Sequence, residues 1–296
     1  MYLERTVIQK PPKWEKPPTS IGTQIELLKK KGLSVDGEDE AGNFLSRVNY
    51  CRAKEYAKTL AGSNGDLSGI TLRQLEEFYG LDRNARTSIL AALSEVEVFF
   101  RTELAYIVST DTNDPFWYLE PANFLNKDLF AKTLDELECD LKKNWVGKQP
   151  NGTSWPRNVV ALPAWEMVEV VSFGKLSKIF SNLKKVKFIG KVGNRLGFGK
   201  EYAKSVVRAF VCLRNRCAHH ERILGTRFSI YPPKIPSMEN FGFDNQLLGG
   251  FVFCIARALS SNKDLHDSFV RQMKNLQKKF PSSILIGLGF GDMDKL

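Results

Sequence analysis

The sequence predicts an all-α protein, and three observations carry that expectation. Apolar residues recur at intervals of three and four through most of the 296 positions, the spacing that lines one face of a helix. Alternation with a period of two, which a half-buried strand needs, is scarce. Cap and breaker residues also cut the chain into pieces of helix length. No internal repeat is present.

The elements follow in order. Residues 1–20 hold Pro11, Pro12, Pro17 and Pro18 and read as an extended lead-in. A helix begins after Thr19-Ser20, running through Thr23–Lys31 to a stop at Gly32. Asp36–Glu40 reads as an acidic loop. Phe44–Leu60 reads as one helix, and 61–66 (Ala-Gly-Ser-Asn-Gly-Asp) as a break. Thr71 caps Leu72–Tyr79. A long amphipathic helix, Asp82–Ser109, carries the stripe Ile89, Leu93, Val96, Phe100, Leu104 and Ile107. Another spans Lys127–Asn144. Val146–Arg157 is rich in turn residues and separates an N-terminal helical region, 21–145, from a C-terminal one, 158–296. Pro163 opens a helix carrying Trp165, Met167, Val168 and Val171. A basic connector precedes the helix Tyr202–Cys217, a proline-containing loop lies at Tyr231–Pro236, and helices at Gln246–Ser260 and Asp264–Lys279 complete the set.

Composition narrows the class. A hydrophobic fraction of 43% with 26% charged residues is ordinary for a globular protein. No apolar span reaches membrane length, and the N-terminus lacks the apolar core of a secretory signal; a cytoplasmic protein with no membrane partner is expected. The five cysteines are scattered and form no C-x-x-C pair, so a disulfide framework or zinc finger is not expected, and neither is a metal or other cofactor. Forty-three Lys and Arg against 33 Asp and Glu leave a net charge of +10. The excess is concentrated. Between Lys184 and Arg208 stand eight basic residues, Lys184, Lys185, Lys187 and Lys191 among them, and one acid. A clustered surplus of this kind points to a polyanion.

That basic stretch leads into the run Val211-Cys212-Leu213-Arg214-Asn215-Arg216-Cys217-Ala218-His219-His220-Glu221-Arg222, which holds two of the chain's three histidines. Imidazole is the side chain suited to proton transfer near neutral pH, and guanidinium binds phosphate bidentately. In a helix Asn215 and His219 share a face. Arg214, five before His219, is about 140° around the axis, so its side chain must curl over or the helix must loosen near His219. A set of Arg, Asn and His suits the cleavage or binding of a phosphodiester without a metal.

The spelling Arg214-Asn215-x-x-x-His219 resembles the R-x4-H motif of HEPN-domain ribonucleases. Longer stretches resemble the Abi-like family, the AbiD/AbiF-type abortive-infection proteins of bacteria. They include Thr23-Gln24-Ile25-Glu26-Leu27-Leu28, Leu45-x-x-x-Asn49-Tyr50, Tyr79-Gly80-Leu81-Asp82 and Val96-Glu97-x-x-x-Arg101-Thr102-Glu103. Pro163-Ala164-Trp165-x-x-x-Glu169, Ser172-Phe173-Gly174-Lys175-Leu176-Ser177 and Leu213–His220 continue the match. Ala85 stands where a leucine is expected, and the tail Ile286–Phe290 is short for the family.

The resemblance implies a HEPN-like helical bundle with additional N-terminal helices, and an RNA-cleaving toxin that uses Arg214, Asn215 and His219. His219 would exchange protons, Arg214 hold the phosphate, and Asn215 orient the histidine or donate to the phosphate. A single Arg–His set per chain further implies a homodimer. Each residue also has a plainer reading. His219 and His220 would cap helix-end carbonyls. Glu97 and Arg101 are either an intrahelical ion pair or residues that buttress Arg214 or touch RNA. Arg216 and Arg222 are phosphate contacts or a solvated face, the Lys184–Lys191 cluster an RNA contact or a basic loop. His266 is a surface residue, and the five tryptophans are core or lid aromatics. The rival function is a protein that grips a structured non-coding RNA with little or no cleavage.

Overall fold

Helices account for the secondary structure of the protein in a computed structural model, which describes residues 17–61, 65–145, 162–279 and 288–296. Twelve α-helices and isolated bridges, but no strand, occur among the described residues. Most of the proline-rich lead-in, the turn-rich 146–157, Trp14, Trp155 and most of the apolar tail lie outside them, as does the side chain of Trp145. By contact the chain divides into two units, one ending at Tyr79 and the other running from Gly80 to Leu296.

In the first unit, α1 (Ile21–Lys29) starts where the Ser20 hydroxyl accepts from the Thr23 amide at 3.1 Å. The expected single helix over Phe44–Leu60 is instead two, α2 (Glu38–Val48) and α3 (Tyr50–Ala61). Asn49 breaks them with φ of 69°, and its side-chain oxygen takes the Cys51 amide at 2.9 Å. Asparagine is among the few residues that enter the left-handed region readily. The acidic Glu38, Asp39 and Glu40, expected in a loop, form the first turn of α2, where carboxylates oppose the positive end of the helix dipole. Tyr56 is buried against Phe78 and Tyr79, with ring centroids 5.8 and 5.1 Å away.

The long helix α4 (Leu72–Thr112) is continuous through Gly80, where two helices were expected. It opens with a capping box: Gln74 donates its amide to the Thr71 hydroxyl at 3.2 Å and accepts the Thr71 amide at 2.9 Å. A glycine inside a helix costs roughly 1 kcal/mol, a small sum against a stripe from Ile89 to Leu104 that is almost wholly buried.

In the second unit Phe100 meets two rings of α7 (Phe173–Asn182), Phe173 at 5.8 Å and Phe180 at 5.3 Å. The helix α5 (Lys127–Trp145) is tied to α7 by the Asn182 side chain, which donates to the Asn126 carbonyl and accepts its amide. The short α6 (Ala164–Val170) ends at Val171, and Ser172 caps α7 in turn. The basic connector is a helix, α8 (Val186–Arg195), whose Phe188, Ile189 and Val192 are buried. It crosses α9 (Lys200–Ala218) closely: a Cβ on Gly193 would stand 2.7 Å from that of Ala203. The short α10 (Pro236–Asn240) begins at the last residue of the expected proline-containing loop. All of α11 (Leu248–Leu259) except Arg257 is buried, and α12 (Lys263–Gln277) packs beside it.

Candidate functional site

The candidate site forms where α9 runs out. His219 occupies the C-cap, with φ of −87° and ψ of 10°. His220 follows in the left-handed region at φ of 58°. Two bonds close the end: His220 N–H donates to the Cys217 carbonyl at 3.1 Å and Glu221 N–H to that of Arg216 at 2.9 Å. This is the Schellman arrangement, which usually places glycine where His220 stands. The expected loosening of the helix at His219 is thus its termination. Both imidazoles are exposed. The roles separate on backbone grounds, because His220 carries the reversal while His219 ends the helix proper. His220→Gly is expected to raise stability by up to about 1 kcal/mol, since glycine enters the left-handed region without a Cβ clash. Chemical denaturation checks this, and a loss of stability would contradict it.

Arg214 is held from below. Its Nη1 donates to Asn215 Oδ1 at 3.1 Å, and its Nε lies 3.3 Å from Glu97 Oε2. The other oxygen of Glu97 takes the guanidinium of Arg101. Arg101 in turn donates to the carbonyls of Val168 and Val171, where α6 ends. Glu97 and Arg101 are buried, whereas the Arg214 side chain remains 35% exposed. One carboxylate therefore bridges two guanidiniums and aims the outer one at solvent. Glu97 and Arg101 are thus an intrahelical pair, and Glu97 also braces Arg214. Asn215 meets Arg214 with its side chain, not His219; its carbonyl accepts the His219 amide at 2.9 Å.

The backbone beyond the histidines is clamped by a residue the sequence reading passed over. Asp82, fully buried on α4, accepts the amides of Ile223 at 2.9 Å and Leu224 at 2.8 Å. Its second oxygen binds Arg86, whose Nη1 reaches the Glu221 carbonyl at 3.5 Å. Ile223 and Leu224 are buried as well. The turn that carries His219 and His220 is thus strung between α9 and a fixed carboxylate. Only the fragment Tyr79–Asp82 hinted at Asp82, with nothing to say what it holds.

The remaining predicted residues divide. Arg216 lies 3.0 Å from Glu221 Oε2 and over the Phe228 ring at 5.2 Å, and Arg222 donates to the Leu224 carbonyl; both bind the protein's own loop. Lys187 and Lys191 flank Asp111 at 2.8 and 2.6 Å, and hold its carboxyl down at about 2. Asp111 is fourteen positions from Glu97 on α4, about 21 Å along the axis. Lys187 and Lys191 of the basic cluster are therefore not gathered at the Arg–His set. His266 pairs with Asp267 at 3.0 Å. Cys217 is buried, its thiol pushed up to about 12 by desolvation, in keeping with a packing role. Trp117 is in the core, whereas Trp165 is 55% exposed and is not a core residue.

Chemically, the end of α9 offers carbonyls, which repel an anion. Of the groups here, the guanidinium of Arg214 is the one suited to an anion, and the exposed imidazole of His219 is suited to proton transfer. Among the described residues no three His, Cys, Asp or Glu side chains gather as a metal site. No described helix is long and apolar enough to cross a membrane. Residues 43–225 match the family model described as Abi-like protein. No curated protein and no solved structure matches the chain.

Proposed function

The chain belongs to the Abi-like protein family, and on that premise we propose that it is a metal-independent endoribonuclease toxin of a bacterial abortive-infection defence against phage. The observation that carries the reading is a half-exposed Arg214 braced by Glu97, five positions before a His219 that stands in solvent at the helix end. The all-α architecture suits a HEPN-like bundle, and the spacing from Arg214 to His219 suits its motif.

RNA supplies its own nucleophile. A base takes the proton of the 2′-OH, the 2′-oxygen attacks phosphorus, and the bond to the 5′-oxygen breaks as an acid protonates the leaving group. The products are a 2′,3′-cyclic phosphate and a free 5′-OH. Arg214 meets the charge that builds on the phosphorane. His219 serves as one of the two proton-transfer groups. The second comes from another copy of the chain, so the active form is a homodimer with two Arg–His sets in one cleft. The protein acts in the cytoplasm.

The test is to incubate the purified protein with total RNA in the presence of chelator and to map the new ends. Cyclic-phosphate termini that vanish with His219→Ala are expected. Intact RNA, or full activity from a strictly monomeric species, would overturn the reading. A second reading, a binder of structured non-coding RNA, is favoured by the distance between the basic cluster and the Arg–His set, since only an extended polyanion spans both. It predicts copurifying RNA, salt-sensitive affinity, and activity that survives His219→Ala but is lost on charge reversal at Lys184 and Lys185.

A further inference from the structure

We infer that the groove between α4 and α6 is a nucleobase-binding subsite that stacks an unpaired base of the RNA on Trp165 and Tyr106. The inference rests on the ribonuclease reading above for the identity of the ligand, not for the existence of the site.

The groove has a volume of about 400 Å³, and Thr102, Tyr106, Ser109, Trp165, Val168 and Glu169 are among the residues around it. Two large aromatic side chains stand in solvent at its edge, Trp165 at 55% and Tyr106 at 67% exposure. Trp117 and Phe100 of the same unit are fully covered, and its other exposed aromatics, Phe116 at 38% and Tyr231 at 36%, are less open. Aromatic surface left open beside a concavity marks a binding surface, and every base offers a π-face to it.

Ser109 also lines the groove, but its Oγ is shielded from solvent, so the polar group presented to a ligand is the Glu169 carboxylate.

Charge selects which part of a nucleotide fits. The residues lining the groove include no lysine or arginine, and Glu169 brings a carboxylate. A phosphate is repelled there. An uncharged base with N–H donors is not, because a carboxylate accepts such donors and aromatic rings take the base plane.

Position joins the groove to the cleavage site. The Val168 carbonyl on the groove wall accepts from Arg101, which binds Glu97, which braces Arg214. Tyr106 is nine positions beyond Glu97 on α4, about 13 Å along the axis and about half a turn around it. A strand with its phosphate on Arg214 therefore has to wrap around α4, and the base it brings to Trp165 is several nucleotides from the cut.

The test measures binding of a labelled single-stranded RNA in the His219→Ala background, which removes cleavage from the assay. Trp165→Ala is expected to weaken binding about tenfold, within the range for one stacked base, while Trp165→Phe retains most of the affinity. The same RNA is then made with one abasic ribose at successive positions. At one position the abasic strand binds more weakly to the parent and is indifferent to Trp165→Ala. Equal weakening at every abasic position, or no effect of Trp165→Ala, overturns the inference. So does a change from dimer to monomer on Trp165→Ala, which assigns the surface to a second copy. If no RNA is ever cleaved but the abasic dependence holds, the ribonuclease reading fails and the subsite stands. If cleavage needs His219 and Trp165→Ala binds as the parent does, the subsite alone fails.

Discussion

His219→Ala is expected to lower the rate of RNA cleavage about 10³-fold, with the fold and the affinity for RNA retained. General acid–base catalysis by one positioned group is worth roughly 10²–10⁴. His219 sits in solvent at the C-cap, where its side chain supports no part of the core. A drop in kcat at constant KM is the signature of a group that acts only in the transition state. His220→Gly gives the internal control, since it touches the adjacent ring and leaves the proton-transfer group in place. Arg214→Lys should fall between the parent and Arg214→Ala, because an ammonium keeps the charge but loses the planar fork. If His219→Ala cleaves as fast as the parent while His220→Ala does not, the assignment of the two imidazoles is reversed. If both variants stay active, the site lies elsewhere.

Asp82→Ala should destabilise the second unit by about 3–5 kcal/mol, the cost of leaving a buried charge without its partner. The substitution takes the carboxylate away from the guanidinium of Arg86 and from the amides of Ile223 and Leu224 together. Urea unfolding followed by far-UV circular dichroism reads the change. Asp82→Asn keeps a carbonyl oxygen for the amides but no charge for Arg86, and should lose less. Both variants free the turn beyond His220, so cleavage should fall further than stability alone explains at a temperature where each remains folded. A loss below about 1 kcal/mol for Asp82→Ala, the size expected of an exposed ion pair, would mean that the clamp carries little.

Parts of this architecture could be read from sequence because they obey local rules. The stripe on α4 and the apolar face of α9 are periodic, and periodicity survives whatever the tertiary context. The break at Asn49 was missed because a single asparagine does not interrupt the pattern of buried residues on either side. Helix α8 was hidden by its lysines: the charges drew notice, while Phe188, Ile189 and Val192 kept a helical spacing beneath them. Gly80 had the opposite effect, since a breaker lost to a well-buried stripe.

The site was legible only where its chemistry is contiguous. Arg214, Asn215 and His219 lie within six positions, and Glu97 and Arg101 are linked by helical spacing. The brace from Glu97 to Arg214 spans 117 positions and the clamp from Asp82 to Ile223 spans 141. No local signal encodes a partner that far away. Counting lysines likewise placed the basic stretch at the motif by its nearness in sequence, whereas Asp111 holds two of them at the other end of α4.

Helix α4 presents carboxylates in series: Asp82 to Arg86 and the turn, Glu97 to Arg101 and Arg214, Glu103 to Arg195, Asp111 to Lys187 and Lys191. Asp82 holds the turn after α9, Glu97 holds Arg214 of α9, and Glu103 and Asp111 hold α8, so the helix acts as a ruler on which four distances are marked. Removing one residue between Asp82 and Asp111 would rotate every later mark by about 100° and set the second half of the ruler against the wrong neighbours. Point substitutions on its exposed side are cheap, but its length is not free to vary. Diverging relatives that keep this fold are therefore expected to place insertions and deletions in the connections and to leave the residue count of α4 unchanged.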